Sequence, residues 1–375
     1  MNRRNSGHLR LADRPADYQS LGIASVEIAA FEDGQRIGTE KGRYEWWYFD
    51  AHLDDGASVV VVFYTKPNVS PNGLLAPRIT IELTLPDGRS FEKFLDVGPE
   101  LFSASKSGCD VRIGTSRFVG DLGRYHITAT IEQISVDIEL TGAVRAWRPK
   151  SGHLYFGDEG REKLFAWLPS VPHGLASVRY RIGTEEHRAT GSGYHDHNWG
   201  DAPMQTLMHN WHWARASIGP YTVIAAHITA TAAYGYETQI VYMLAKGGKV
   251  IADDDARVSF DTERVTLDGK TGKPVADLTR YTYHDGDTRY VVSFERRQTI
   301  LQAVLTDRAP PLKRFIARLI GFDGAYHRFT GKATIEKFER DERVECLDHR
   351  AIWELMYFGK TRSQDLGKSP VRGAA

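Results

Sequence analysis

From Arg43 onward, apolar and polar residues alternate in short runs separated by Gly, Pro, Asp and Asn, the pattern of strands and turns. The first strong run, Tyr44-Glu45-Trp46-Trp47-Tyr48-Phe49-Asp50, puts Glu45, Trp47 and Phe49 on one face and Trp46, Tyr48 and Asp50 on the other. Both faces carry aromatics, so both are expected to be covered. A turn at Asp54-Asp55-Gly56 leads into Ser58 to Tyr64 and completes a hairpin signature. Further runs are Arg78 to Leu85, Arg89 to Phe94, Asp110 to Phe118, Tyr125 to Ile131 and Val136 to Leu140. This reads as an antiparallel meander, with no βαβ repeat.

The second half repeats the style. It runs through Trp211 to Ser217, Tyr221 to Thr229, Glu237 to Leu244, a Lys246-Gly247-Gly248-Lys249 turn, Arg257 to Leu267, Leu278 to His284, Tyr290 to Gln298, Lys332 to Glu339 and Trp353 to Phe358. Two blocks of about eight strands predict two barrels or sandwiches, and barrels of that size hold one small apolar ligand. The expected boundary is near Gly200-Asp201-Ala202-Pro203. It separates residues 21–200 from 201–360, with a flexible arm over 1–20 and a flexible tail over 361–375. One helix is expected, Leu312 to Ile320 after Pro310-Pro311. It is amphipathic, with a basic face suited to plugging a barrel end or touching an anionic membrane surface.

Length and composition narrow the function. A chain of 375 residues exceeds what one core usually serves, and 48 basic against 48 acidic residues remove any global attraction to nucleic acid. Two cysteines, Cys109 and Cys346, without CxxC spacing, argue for a reducing, cytoplasmic setting and against a zinc framework. The N-terminus lacks the apolar core of a secretory signal, and no run is long enough to span a bilayer. Oligomeric state is not legible.

The densest chemistry is Gly193-Tyr194-His195-Asp196-His197-Asn198-Trp199-Gly200. As a strand it shows Tyr194, Asp196 and Asn198 on one face and His195, His197 and Trp199 on the other. A metal reading would use His195 and His197 with His209, His212 or Asp201, but His209 and His212 fall on opposite faces of an extended segment; no metal is expected. Gly191-Ser192-Gly193 is not a nucleophile elbow, and no phosphate-binding glycine loop occurs. The acid reading needs Asp196 neutral near pH 7, which burial among aromatics can supply. Trp46, Trp47, Tyr48, Trp167, Trp199, Trp211 and Trp213 would then wall a cavity whose π faces attract a carbocation.

Together Glu45-Trp46-Trp47-Tyr48-Phe49-Asp50, Trp167-Leu168-Pro169, Tyr194 to Gly200 and Trp353-Glu354-Leu355-Met356-Tyr357 resemble the carotenoid 1,2-hydratase (hydroxyneurosporene synthase) family and its AttH-like relatives, over about residues 40 to 360. The resemblance implies an all-β chain of two tandem lipocalin-like antiparallel β-barrel domains and a hydrophobic pocket. It implies cofactor-independent hydration of an isoprenoid double bond, or Diels–Alder-type cyclisation as in fungal relatives. Tyr194 and Asp196 match the family's Tyr-x-Asp, with Asp196 as proton donor. The family's hydratases also use a His two positions before a Trp, and Phe165-Ala166-Trp167 keeps the Trp only. That departure favours quenching by ring closure or proton loss over simple hydration.

The expected catalytic residues are therefore Asp196 and Tyr194. Substrate contacts are expected from Trp46, Trp47, Tyr48, Phe165, Trp167, His195, His197, Asn198, Trp199, Trp211 and Trp213. The substrate expected is a small hydrophobic isoprenoid or polyene. A pericyclase that folds a polyene, and a non-catalytic carrier of hydrophobic ligands, are the alternatives.

Overall fold

The computed structural model describes residues 9–305, 307 and 322–366. The chain divides after Met204 into two compact units. In the first, thirteen strands form one antiparallel sheet: β1 (Leu9–Leu11), β2 (Tyr44–Leu53), β3 (Ser58–Tyr64), β4 (Arg78–Thr84), β5 (Ser90–Asp96), β6 (Phe102–Ala104), β7 (Cys109–Ile113), β8 (Ser116–Gly120), β9 (Arg124–Ile131), β10 (Ile134–Gly142), β11 (His153–Phe156), β12 (Lys163–Ile182) and β13 (Glu185–Gly200). The order is β5-β4-β3-β2-β13-β12-β10-β9-β8-β7-β6, with β1 and β11 attached beside β12. β13 is therefore central, flanked by β2 and β12.

Period-two alternation explains why this sheet curls. Trp47 and Phe49 of β2, Val59 and Val61 of β3, and Ile79 and Ile81 of β4 pack in one buried cluster with Ile127 of β9 and Ile138 of β10. Strands far apart in the sheet order thus share a single core. Each fully buried large aliphatic or aromatic side chain contributes about 1.5–3 kcal/mol. β13 tolerates close neighbours at Gly193, where a Cβ would lie 2.7 Å from Leu140 Cδ1.

The described residues of the second unit form nine strands: β14 (Met208–Ile218), β15 (Tyr221–Ala230), β16 (Thr238–Lys246), β17 (Lys249–Ala252), β18 (Val258–Leu267), β19 (Pro274–Asp285), β20 (Thr288–Val304), β21 (Ala325–Glu339) and β22 (Glu342–Tyr357). They are ordered β17-β16-β15-β14-β22-β21-β20-β19-β18. Inward residues from both ends, Tyr242 of β16 and Tyr281 of β19, join Trp353 of β22 in one core. The Lys246-to-Lys249 turn forms as expected, with Gly247 and Gly248 at φ 58° and 80°, which only glycine adopts without strain. The architecture is all-β and lipocalin-like in both units.

Several elements differ from expectation. Asp110 to Phe118 is two strands, β7 and β8, because Gly114 at φ 59° turns the chain. The long β12 carries Pro169 and Pro172, which remove ladder donors; its register shifts twice between Leu168 and Gly174, so the segment did not look like a strand. The expected arm is anchored from residue 9 onward: β1 pairs with β11, and α1 (Pro15–Leu21) is tied down by Arg10 on Asp17 at 2.8 and 2.9 Å. The expected tail is held at its start, since Asp365 accepts hydrogen bonds from His209 and from Arg362. The helix expected over 312–320 lies outside the described residues. Among the described residues, no helix is long and apolar enough to cross a membrane.

Candidate active site

Register places the acid. Tyr194 pairs with Asp50, Asp196 with Tyr48, and Asn198 with both Trp46 on β2 and Trp167 on β12. Paired residues of antiparallel strands project to the same side, so Tyr194, Asp196, Asn198, Trp46, Tyr48, Phe165 and Trp167 share one face of the first unit's sheet.

On that face the Asp196 carboxylate collects three donors. Oδ2 accepts from Trp167 Nε1 at 2.8 Å and from the Tyr194 hydroxyl at 2.8 Å, while Oδ1 accepts from Asn198 Nδ2 at 2.7 Å. Such bonds favour the carboxylate, yet burial outweighs them and pushes Asp196 up to about 6. Burial, then the neighbouring Asp196 charge, hold the Tyr194 phenol well above its usual range, so it acts as a neutral donor. Aromatic rings surround the acid. Trp46 lies 6.1 Å from Phe165, Tyr48 lies 6.2 Å from Tyr194, and Trp147, absent from the sequence expectation, meets Trp167 edge-on at 6.4 Å. Tyr48 donates to Asp50 Oδ2 at 3.0 Å.

The opposite face of β13 carries a different network. His195 Nδ1–H donates to the Tyr48 carbonyl at 2.8 Å, and its Nε2 lies 3.2 Å from Asp33 Oδ2. His197 Nε2 lies 2.8 Å from Glu45 Oε1, and its Nδ1 lies 3.5 Å from Asp33 Oδ1. Asp33 Oδ2 also accepts from Tyr125 at 2.5 Å, and Glu45 Oε1 from the Arg36 backbone N–H at 2.6 Å. Burial drives Asp33 upward, but the two histidines and the Tyr125 bond overcome it, leaving the carboxyl below its ordinary range. Trp47 stacks on His197 at 4.6 Å and is fully buried.

This separation corrects the expected substrate contacts. Trp47, His195, His197 and Trp199 lie on the face away from Asp196. Asp33, Cys109 and His195 each bring a ligand-type atom within 4.8 Å of the others. Cys109 Sγ reaches the Phe118 carbonyl at 3.7 Å and Asp33 Oδ2 has two neighbours, while Asp33 Oδ1 has no hydrogen-bond partner among the described residues. Asp33 and Glu45 were missed as site residues. Glu45 sits across from Trp199 at the start of the Glu45-to-Asp50 aromatic motif, whereas Asp33 ends a 3-10 turn (Ala30–Asp33) with no periodic signal.

Chemically, the Asp196 face offers a carboxyl that keeps its proton up to about pH 6, held by neutral donors among π faces. It can deliver a proton, then stabilise a cation through the carboxylate left behind and the ring faces.

Comparison with known proteins gives a consistent picture. A family model described as Diels-Alderase-like matches residues 122–302. A protein named hydroxyneurosporene dehydrogenase from Chlorobaculum tepidum is 29% identical over 257 residues, 58% of this chain and 65% of that one. An acyclic carotenoid 1,2-hydratase from Rubrivivax gelatinosus is 23% identical, over 47% of this chain and 46% of that one. The chain thus spans about half to two thirds of the length of these relatives. A solved structure described as a putative AttH from Nitrosomonas europaea has a TM-score of 0.57 at 16% identity, covering 84% of this chain and 93% of that one. That likeness establishes the fold.

Proposed function

We propose that this chain is a member of the carotenoid 1,2-hydratase and AttH-like family and a cofactor-independent enzyme that protonates a C=C bond of an isoprenoid or polyene through Asp196. The observation that carries the reading is a carboxyl pushed up to about 6 inside an aromatic enclosure.

The steps use this chain's side chains and water. Asp196 Oδ1 gives its proton to the less substituted alkene carbon, forming a C–H bond and leaving the cation on the more substituted carbon. Oδ2 accepts from both Trp167 and Tyr194, whereas Oδ1 accepts from Asn198 alone, so Oδ1 is the oxygen with a position left to carry the proton. Trp46, Tyr48 and Trp167 face the cation with their rings, while the carboxylate is held by its three donors. The cation then ends in one of three ways. Water adds and returns a proton to Asp196, a second double bond closes a ring and the cation so moved loses a neighbouring C–H proton to Asp196, or the first cation loses a neighbouring C–H proton to Asp196 directly. Phe165, rather than a polar side chain, beside Trp46 favours the latter two. The unpaired thiols Cys109 and Cys346 support a cytoplasmic location.

A second reading is favoured by the Diels-Alderase-like family match: the same face would fold a polyene and lower the barrier to a pericyclic closure by pre-organisation. Turnover in heavy water separates the two. The acid mechanism places solvent deuterium on the carbon that receives the proton; a product free of solvent deuterium overturns it and leaves the pericyclase reading.

A further inference from the structure

The interior of the second unit contains polar groups that its own packing does not explain. Register aligns His212 of β14 with His227 of β15 and Ile240 of β16, and the next inward level aligns Ala214, Ala225 and Tyr242. Phe260 of β18 pairs with Tyr281 of β19. The rings form a continuous lining. His227 stacks on Phe260 at 4.3 Å, Phe260 lies 4.9 Å from Tyr281, and Tyr281 lies 6.5 Å from Tyr242. Beside Tyr242 on the same face the positions are small, Ala214 and Ala225, with Ala216 next along β14, all in the same buried core.

Three polar atoms in this lining lack a hydrogen-bond partner among the described residues: the hydroxyls of Tyr242 and Tyr281, and His227 Nδ1. Both tyrosines are 1% exposed. A buried hydroxyl that forgoes its bond is destabilising, and phenylalanine would fill the same space without that cost. Orphaned groups beside alanines on an otherwise apolar wall are the composition of a ligand chamber, with a few polar handles on an apolar surface.

We propose that the second unit binds, independently of the Asp196 site, an uncharged ligand with an apolar body and a carbonyl oxygen, which accepts from Tyr242 and Tyr281. A carbonyl offers two lone pairs to two phenol donors, and the ring or chain behind it packs on Phe260 and the alanines. Burial pushes His212 down to about 3 and His227 down to about 4, so both rings are neutral at pH 7. With neutral imidazoles and phenols as its polar lining, the chamber favours an uncharged guest over a carboxylate.

The test uses the full chain and acetophenone labelled with 13C at its carbonyl, followed by NMR. The expected result is saturable binding with the carbonyl resonance kept at or downfield of its position in water, where an apolar site without donors would move it upfield. Ethylbenzene, which has the same body without the oxygen, should bind at least tenfold more weakly. The double variant Tyr242→Phe with Tyr281→Phe should weaken acetophenone at least tenfold and move its carbonyl resonance upfield. Ala225→Leu should fill the chamber and abolish binding while circular dichroism shows the strands intact, and Asp196→Asn should leave binding unchanged. Absence of binding overturns the proposal. So does equal affinity in the double variant, which would mark the hydroxyls as groups served by water alone. Loss of binding in Asp196→Asn assigns the ligand to the first unit and overturns it as well.

Discussion

Trp167 Nε1 lies 2.8 Å from Asp196 Oδ2, across two adjacent strands, and shares that oxygen with the Tyr194 hydroxyl. The indole thus restrains the acid and walls the space in front of it. A hydrogen bond to an ionised group is worth about 1.5–3 kcal/mol, and about 1.4 kcal/mol equals one pKa unit. Trp167→Phe keeps a ring but removes the donor that favours the carboxylate. The Asp196 ionisation should then move upward by about one unit, read as a shift of the alkaline limb of kcat/KM to higher pH. An unmoved limb would show that the indole does not bear on the ionisation.

The wild-type limb has a definite sign. The acid works when protonated, so kcat/KM should fall about tenfold per pH unit above about 6. Stability follows the same group. A carboxyl raised in the folded state binds its proton more tightly there, so its contribution is greatest at low pH and declines as pH rises from the ordinary carboxylate range through about 6. Asp196→Asn should flatten both trends, measured by pH-rate profiles and by denaturant melts at several pH values.

Much of this site is legible in the sequence because a strand has a period of two. Reading residues 194–199 as extended separates Asp196 from His195 and His197 correctly, and the register with β2 preserves that separation. What the sequence hides is which face is which. Trp46 and Trp47 are adjacent and chemically alike, yet one faces the acid's side and the other stacks on His197 in the core. Composition cannot distinguish them. Asp33 is hidden for another reason: it reaches His195 from 162 positions away, a contact set by tertiary folding rather than local pattern. The extent of β12 is obscured by Pro169 and Pro172, which read as breakers and are absorbed where the register shifts.

The histidine network predicts a structural defect. Glu45 is fully buried and engages His197 at 2.8 Å and the Arg36 N–H at 2.6 Å. Glu45→Ala strips partners from both and leaves buried donors unpaired, which should cost about 1–3 kcal/mol. Urea denaturation should show this as a lower midpoint. Loss of turnover should follow the folded fraction rather than the intrinsic rate.

Asp365 predicts acid lability in the second unit. Burial alone would raise it, but bonds from His209, then Arg362, bring it down to about 2. For a depressed carboxyl the stabilisation is present above its unfolded value near 3.8 and is lost as pH falls through about 2. The shift corresponds to about 2 kcal/mol. Asp365→Asn should remove about that much at pH 7 and almost nothing at pH 2, so the two proteins' melting curves should converge on acidification.

Asp196→Asn and Tyr194→Phe divide the mechanism between delivering a proton and aiming it. Asparagine is close to the carboxyl in shape and keeps an oxygen for the Trp167 and Tyr194 donors, so the face should still bind substrate. It has no acidic proton to give, and turnover should fall by about 10²–10⁴-fold, the usual contribution of a positioned acid. Tyr194→Phe leaves the acid in place with Trp167 still on Oδ2 and Asn198 on Oδ1, so its loss should be nearer tenfold. It should also shift the pH limb upward, because a donor that favours the carboxylate is gone. Single-turnover kinetics with binding measured separately distinguishes these effects. Full turnover in Asp196→Asn would remove proton delivery from the mechanism, and a Tyr194→Phe loss matching that of Asp196→Asn would make the phenol a reacting group rather than a guide.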